Sequence, residues 1–224
     1  MPAETPGLGL PFPLPEDALV DYPALGQELA EKVEAMLGLV PQRIAELDVT
    51  ALLRAEAQAG GETKPTGEPR GVASIILPGL PQTFRHLRIV ASLRTGLAGQ
   101  FWETIELRLN GDAGLNYQTV RLRGAAPNAT AIENLNASGV QMSAYAGQTL
   151  RFSPFVIDLP GYLDATSPQG IIFSTGWMLG APPWVIEHGM GEWGALAPVD
   201  TVGFHPMSAG QFQPGSIVSV YGLP

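Results

Sequence analysis

The sequence predicts a mainly β protein: an N-terminal extended arm, a short α-helical stem and a β-sandwich head of jelly-roll-like order. Three observations predict it. Short runs in which apolar and polar residues alternate recur from about residue 72 onward, and a period of two marks strands with one buried face. The 27 glycines and 21 prolines of the 224 residues punctuate those runs, as the turns of an all-β body require. Upstream, apolar residues recur instead every three or four positions, the period of one helix face.

The arm covers residues 1–20. Its first fifteen residues carry five prolines and a single charged side chain, Glu4, so the segment has no helical option and favours extended backbone. Leu8, Leu10, Phe12 and Leu14 alternate there with glycine and proline, a pattern suited to lying in the groove of a partner. The stem covers residues 21–58. Asp21 can cap, Pro23 suits a first turn, and Leu25, Leu29, Val33, Met36 and Val40 form one apolar stripe. Pro41 interrupts it, and a second stripe resumes with Ile44, Leu47 and Ala51, which predicts two consecutive helices over 22–37 and 41–57. Gln27, Glu31, Glu34 and Glu46 occupy the other faces, so the stripe needs a cover. Either it packs on the chain's own β body, or the seam Leu25, Leu29, Val33, Met36, Val40, Ile44, Leu47 meets identical subunits.

Residues 59–71 combine glycine, proline and charge without apolar periodicity and read as the linker to a head over 72–224. Candidate strands there are 72–77, 84–93, 101–110, 115–123, 139–144, 149–157, 170–178, 199–204 and 216–221. In the third, Phe101, Glu103, Ile105, Leu107 and Leu109 share a face. In the fourth, Leu115, Tyr117, Thr119, Arg121 and Arg123 alternate with Asn116, Gln118, Val120 and Leu122. Between these two strands stands Asn110-Gly111, a strong turn signal because both residues accept positive φ cheaply.

Composition narrows the function. A formal charge of −9, with no basic run, argues against nucleic acid as a partner. The absence of cysteine removes disulfides, thiolate metal sites and Cys nucleophiles. No stretch reads as a signal peptide or approaches the ~18 apolar residues that span a bilayer. His86, His188 and His205 are well separated, and Glu187-His188 has no second ligand at a diagnostic offset, so neither a metal nor a cofactor is expected. No Gly-x-Ser-x-Gly elbow or phosphate loop is present, and Gly7-Leu8-Gly9 opens no helix. Glu103 and Glu106 fall on opposite faces of their strand. Asp158, Asp164, Glu187 and Glu192 read as loop carboxylates that could converge, and Asp112 with Asn116 reads as a turn before a calcium site. No enzymatic activity is expected. Trp177 lies in an alternating run and reads as core. Trp184 and Trp193, among glycines and prolines, are the candidate ligand-binding residues, since indole faces stack on sugar rings.

His86-Leu87-Arg88-Ile89-Val90-Ala91-Ser92-Leu93-Arg94, the Leu107 to Tyr117 turn region and the closing Gly215-Ser216-Ile217-Val218-Ser219-Val220-Tyr221-Gly222-Leu223 together resemble small virion proteins of tailed bacteriophages. In that group a helical stem carries a β-sandwich head that ends on a strand reading like GS…YGL. The resemblance implies a structural virion protein, either a tail fibre, spike or minor tail protein contributing to host attachment or a head fibre or capsid decoration protein. It implies a homotrimer assembled in the host cytoplasm, anchored to other virion proteins through Leu8, Leu10, Phe12 and Leu14. A host cell-surface saccharide is then the ligand expected at Trp184 and Trp193. A free carbohydrate-binding module is the remaining alternative.

Overall fold

Strands dominate the computed structural model, which describes residues 3–4, 11–12, 27, 31–32, 42–48 and 71–224, apart from 98–99, 126, 147–150, 179–183 and 209. The chain divides into two units, Met1–Pro41 with Pro224, and Gln42–Leu223. In the first, β1 (Ala3–Glu4) pairs antiparallel with β2 (Pro11–Phe12), so the arm is extended where it is described. Gln27, Glu31 and Lys32 have helical backbone, and Gln27 Nε2 donates to Glu31 Oε1 at 2.9 Å. Among the described residues no helical stem is seen. Leu8, Leu10, Leu14, Leu25, Leu29, Val33, Met36 and Val40 lie outside the described residues, as do the side chain of Phe12 and the linker up to Gly71.

The second unit holds β3 (Gln42–Asp48), β4 (Ile75–Leu77), β5 (His86–Leu93), β6 (Trp102–Leu109), β7 (Tyr117–Ala125) and β8 (Asn128–Ala137). It continues with β9 (Val140–Tyr145), β10 (Ser153–Pro160), β11 (Gln169–Met178), β12 (Trp184–Trp193), β13 (Val202–Pro206) and β14 (Ile217–Leu223). Two antiparallel sheets result, one ordered β3-β14-β5-β10-β11-β12-β7-β8 and the other β4-β13-β6-β9. Their facing sides form one core. Leu87, Ile89, Phe155, Ile157 and Phe173 from the large sheet join Ile75, Ile105, Leu107, Met142 and Phe204 from the small one. Each such burial stabilises the fold by roughly 1.5–3 kcal/mol before entropy is counted.

The expected helix over 41–57 is corrected: its first half is β3, paired along β14 with Val218 opposite Leu47 and Val220 opposite Ala45. The three-residue spacing of Ile44 and Leu47, read as helical, fits a strand because the register shifts opposite Val220/Tyr221 and leaves Ile44 as an extra residue. Ile44, Ala45 and Leu47 all pack, partly buried, against the core, so these two members of the proposed seam meet the chain's own β body. Satisfying the backbone groups along β14 outweighs helix propensity here.

Two further strands were not expected. β12 reads as loop because of its glycines, yet Gly189 and Gly191 face the interior, where a side chain would not fit. A Cβ on Gly189 would stand 2.6 Å from Phe173 Cζ and 2.8 Å from Val120 O. β8 has almost no buried side chain and is held as an edge by pairing with β7.

Asn110 and Gly111 do take positive φ, 52° and 69°. The turn does not close a hairpin, however. β6 belongs to the small sheet and β7 to the large one, so the chain crosses between layers at this corner. Asn110 Oδ1 accepts from the N–H of Asp200 at 2.9 Å, and the Leu109 N–H donates to the Tyr117 hydroxyl at 2.9 Å.

Candidate functional site

Three places in the Gln42–Leu223 unit concentrate polar or aromatic side chains. The first is interior. Alternation along β7 turns Thr119, Arg121 and Arg123 inward and leaves Val120 and Leu122 exposed, the reverse of an ordinary half-buried strand. These polar residues meet Glu187 on β12, which is fully buried, and Ser143 on β9. Arg123 Nε donates to Glu187 Oε1 at 2.5 Å, and its Nη2 donates to Ser143 Oγ at 2.6 Å. The Ser143 N–H and Oγ both donate to the same carboxylate, at 3.0 and 2.9 Å. Arg121 donates through Nη1 to the Gln141 carbonyl, and its Nε stands 3.7 Å from Glu187 Oε1. Burial pushes the Arg121 guanidinium pKa down, Glu187 opposes that, and Arg123 adds to it. The Arg123 guanidinium also lies 4.8 Å over the Trp102 ring and 5.8 Å from that of Trp177, which is buried as expected. Such a network holds charges in fixed positions and couples β7, β9 and β12.

The second place is the corner around Asp112. Trp193 is 2 % exposed and stacks on Tyr117 with ring centroids 6.3 Å apart, so it is a core residue and not half of an exposed pair with Trp184. Its Nε1 donates to Asp112 Oδ2 at 2.8 Å, as does Asn116 Nδ2 at 2.9 Å, while the Gly114 N–H donates to Oδ1 at 2.7 Å. Asp112 therefore spends its oxygens on holding the turn. The indole and amide donors hold its pKa below the ordinary carboxylate value. An unfolded chain takes up this proton at higher pH than the folded one, so the stabilisation is complete above about pH 4 and is lost as the pH falls through the folded value. We expect the urea midpoint to fall as the pH drops below about 4, and Asp112→Asn to flatten that slope. An unchanged slope in the variant would remove Asp112 from the account.

The third place is a groove of about 940 Å³ on the outer face of the large sheet. Its floor is β11, whose outward residues there, Ser174 and Gly176, are small. Phe152, Pro154 and Val156 rise on one side, Trp184 and Ile186 on the other, and Arg151 stands at the rim. The Arg94 guanidinium lies 5.3 Å from the centroid of the Phe152 ring. Trp184 is 59 % exposed, so this one of the two candidate tryptophans presents an indole to solvent. Ser174 Oγ and His188 Nδ1 are hydrogen-bonded at 2.7 Å beside the groove. Among the described residues no carboxylate bonds to His188, so the pair lacks the orienting acid of a nucleophile–base arrangement.

The remaining polar candidates do not converge. Asp158 forms a bidentate pair with Arg88 on the outer face, at 2.7 and 2.9 Å, while Glu187 faces the interior and Glu192 is exposed. Asp164 closes its own turn, where Ser167 and Thr166 hold its pKa at about 2. Glu103 accepts from the Ser208 N–H at 3.0 Å, and Glu106 sits between Arg108 and Ser138, both at 2.7 Å. His86 Nδ1 accepts from the Gly161 N–H at 3.0 Å, and burial lowers the pKa of His205. Among the described residues no group of three or more His, Asp or Glu is placed to hold a metal ion.

The polar interior was legible as alternation but not as a network, because the partners of Arg121 and Arg123 lie about 20 and 64 residues away. Together these features define a two-sheet antiparallel β protein with an ion-paired interior and an aromatic groove on its large sheet. Compared with known proteins, the chain matches no family model, no curated protein and no solved structure.

Proposed function

We propose that this chain is a structural protein of a tailed-bacteriophage virion, a tail fibre, spike or minor tail protein that contributes to host attachment. The observation that carries the reading is the closing segment. Gly215 to Leu223, one of the stretches that resemble phage virion proteins, contains β14 (Ile217–Leu223), which is built into the large sheet between β3 and β5. The strand order supports a jelly-roll head: from β4 onward the chain passes back and forth between the two sheets, with β10–β11–β12 as a three-stranded meander in one pass. In this reading the arm and the residues before β3 anchor the protein to other virion components and to its own copies, in a homotrimer assembled in the host cytoplasm. In this reading the head works by binding, and calls for no catalysis, metal, cofactor, nucleic acid or membrane insertion.

Immunogold labelling of purified particles from the source host tests this. Label at the tail supports the proposal, label on the shell moves the protein to the head-fibre or capsid-decoration alternative, and unlabelled particles overturn it. A saccharide-binding head is favoured by one observation, the exposed Trp184 over an aromatic groove. Trp184→Ala should then abolish binding to host cell-wall saccharide while leaving the melting temperature nearly unchanged; undiminished binding removes Trp184 from the site.

A further inference from the structure

We propose that the outer face of the eight-stranded sheet is a docking surface for a second copy of this chain. Two rows of outward residues run across the strands. One passes Ser219, Val90, Val156, Ser174, His188 and Leu122. The other passes Arg88, Asp158, Ile172, Met190, Val120 and Glu133. The second is apolar in its middle and polar at its ends, the anatomy of an interface core with a rim; the first sets Val90, Val156 and Leu122 on either side of the hydrogen-bonded Ser174–His188 pair. Ile186 and Trp184 extend the patch along β12, so a copy seated there covers the groove and is the alternative to saccharide binding at Trp184.

The face is open. Val90, Val156, Ile172, Val120, Met190, Leu122, Ile186 and Trp184 are between 40 % and 65 % exposed. At those exposures they offer on the order of 800 Å² of accessible surface, which is what one partner contributes to an interface of standard size. Contiguous apolar surface of that extent on a folded chain marks an interaction site.

Charge, with this area, fits a second copy as the occupant. The chain carries a formal −9, so two copies repel wherever unpaired carboxylates would meet. On this face the charge is neutralised internally: Asp158 is held by both nitrogens of the Arg88 fork, and Ser174 and His188 satisfy each other. Glu133 and Glu192 stand at its margins. It is a surface on which a like-charged copy can settle without burying an unpaired charge. The inward turn of Arg121, Arg123 and Glu187 is the other side of the same design: the strands that expose Val120, Leu122, Ile186 and Met190 carry their charges inside.

The test uses the full-length chain, by light scattering and sedimentation across micromolar concentrations. We expect the wild type to self-associate and the double variant Leu122→Glu/Met190→Glu to sediment at lower mass, with association weakened about tenfold or more. Leu115→Glu, an exposed leucine outside the face, should leave the mass unchanged. Circular dichroism establishes that each variant is folded; if the glutamates prevent folding, Leu122→Ala/Ile186→Ala/Met190→Ala reads the same loss. A monomeric wild type, a face variant of wild-type mass, or an equal loss in Leu115→Glu would each overturn the proposal. A monomeric wild type would also remove the homotrimer from the proposed function, but a face variant of wild-type mass overturns this inference alone, and particle labelling is decided independently of both.

Discussion

Glu187→Ala should destabilise the Gln42–Leu223 unit by roughly 3–5 kcal/mol, the loss expected when one member of a buried ion network is removed and its partners stay buried. Glu187 is fully buried and is the carboxylate to which Arg123 and both donors of Ser143 bond; Arg121 stands 3.7 Å from it. Without it two guanidinium groups sit inside the sandwich with no anion beside them, keeping only the Gln141 carbonyl, Ser143 Oγ and the Trp102 and Trp177 rings. For a unit of this size each kcal/mol lowers the melting temperature by about 2–4 °C, so a fall of roughly 6–20 °C is expected. Replacing the set together, as Arg121→Met/Arg123→Leu/Glu187→Met, should cost far less, because no charge is then left behind. Thermal unfolding followed by circular dichroism distinguishes the cases. A single variant that melts with the wild type would mean that water reaches the network.

Trp193→Ala should cost about 3–5 kcal/mol, as for other buried aromatic truncations. The side chain is 2 % exposed, stacks on Tyr117 and donates to Asp112, so its loss opens a cavity and unpairs the carboxylate that holds the corner. Trp193→Phe should fall between, keeping a ring but losing the hydrogen bond, which is worth about 1.5–3 kcal/mol to a charged acceptor. Trp184→Ala, by contrast, should stay within about 0.5 kcal/mol of wild type, as surface substitutions do. Chemical denaturation of the three variants side by side tests the division. A Trp193→Ala protein as stable as the wild type would place the indole in solvent and restore the exposed pair.

The strands that could be read from the sequence are those with clear alternation. The run 84–93 became His86–Leu93 and the run 170–178 became Gln169–Met178, because a strand with one buried face writes its period into the chain. Strands without that period were missed for two reasons. β12 carries glycines where Phe173 and Val140 press against its backbone, so its inward positions look like turn residues. β8 lies at a sheet edge with almost no buried side chain, so the pairing that makes it a strand leaves little trace in hydropathy. Of the candidate site, the indole of Trp184 was legible as a tryptophan out of place. The groove beside it was not, since Phe152, Ser174 and Trp184 come from three chain segments.

What the sequence by itself determined is local: the alternating runs, the positive-φ turn at Asn110-Gly111, the division of β6 and β7 into two side-chain sets, and the absence of any cysteine chemistry. These depend on neighbours within a few residues, where backbone sterics and side-chain period act directly. The tertiary structure alone decided which strands pair, that the Asn110-Gly111 turn crosses between sheets, and that Gln42–Asp48 is a strand. It also decided that Trp193 is core and that Arg121 and Arg123 close on Glu187 while valine and leucine face outward. A period of two assigns residues to two faces but does not say which face is covered. That depends on the opposing sheet, and on which distant segment satisfies the backbone and the charges the strand presents.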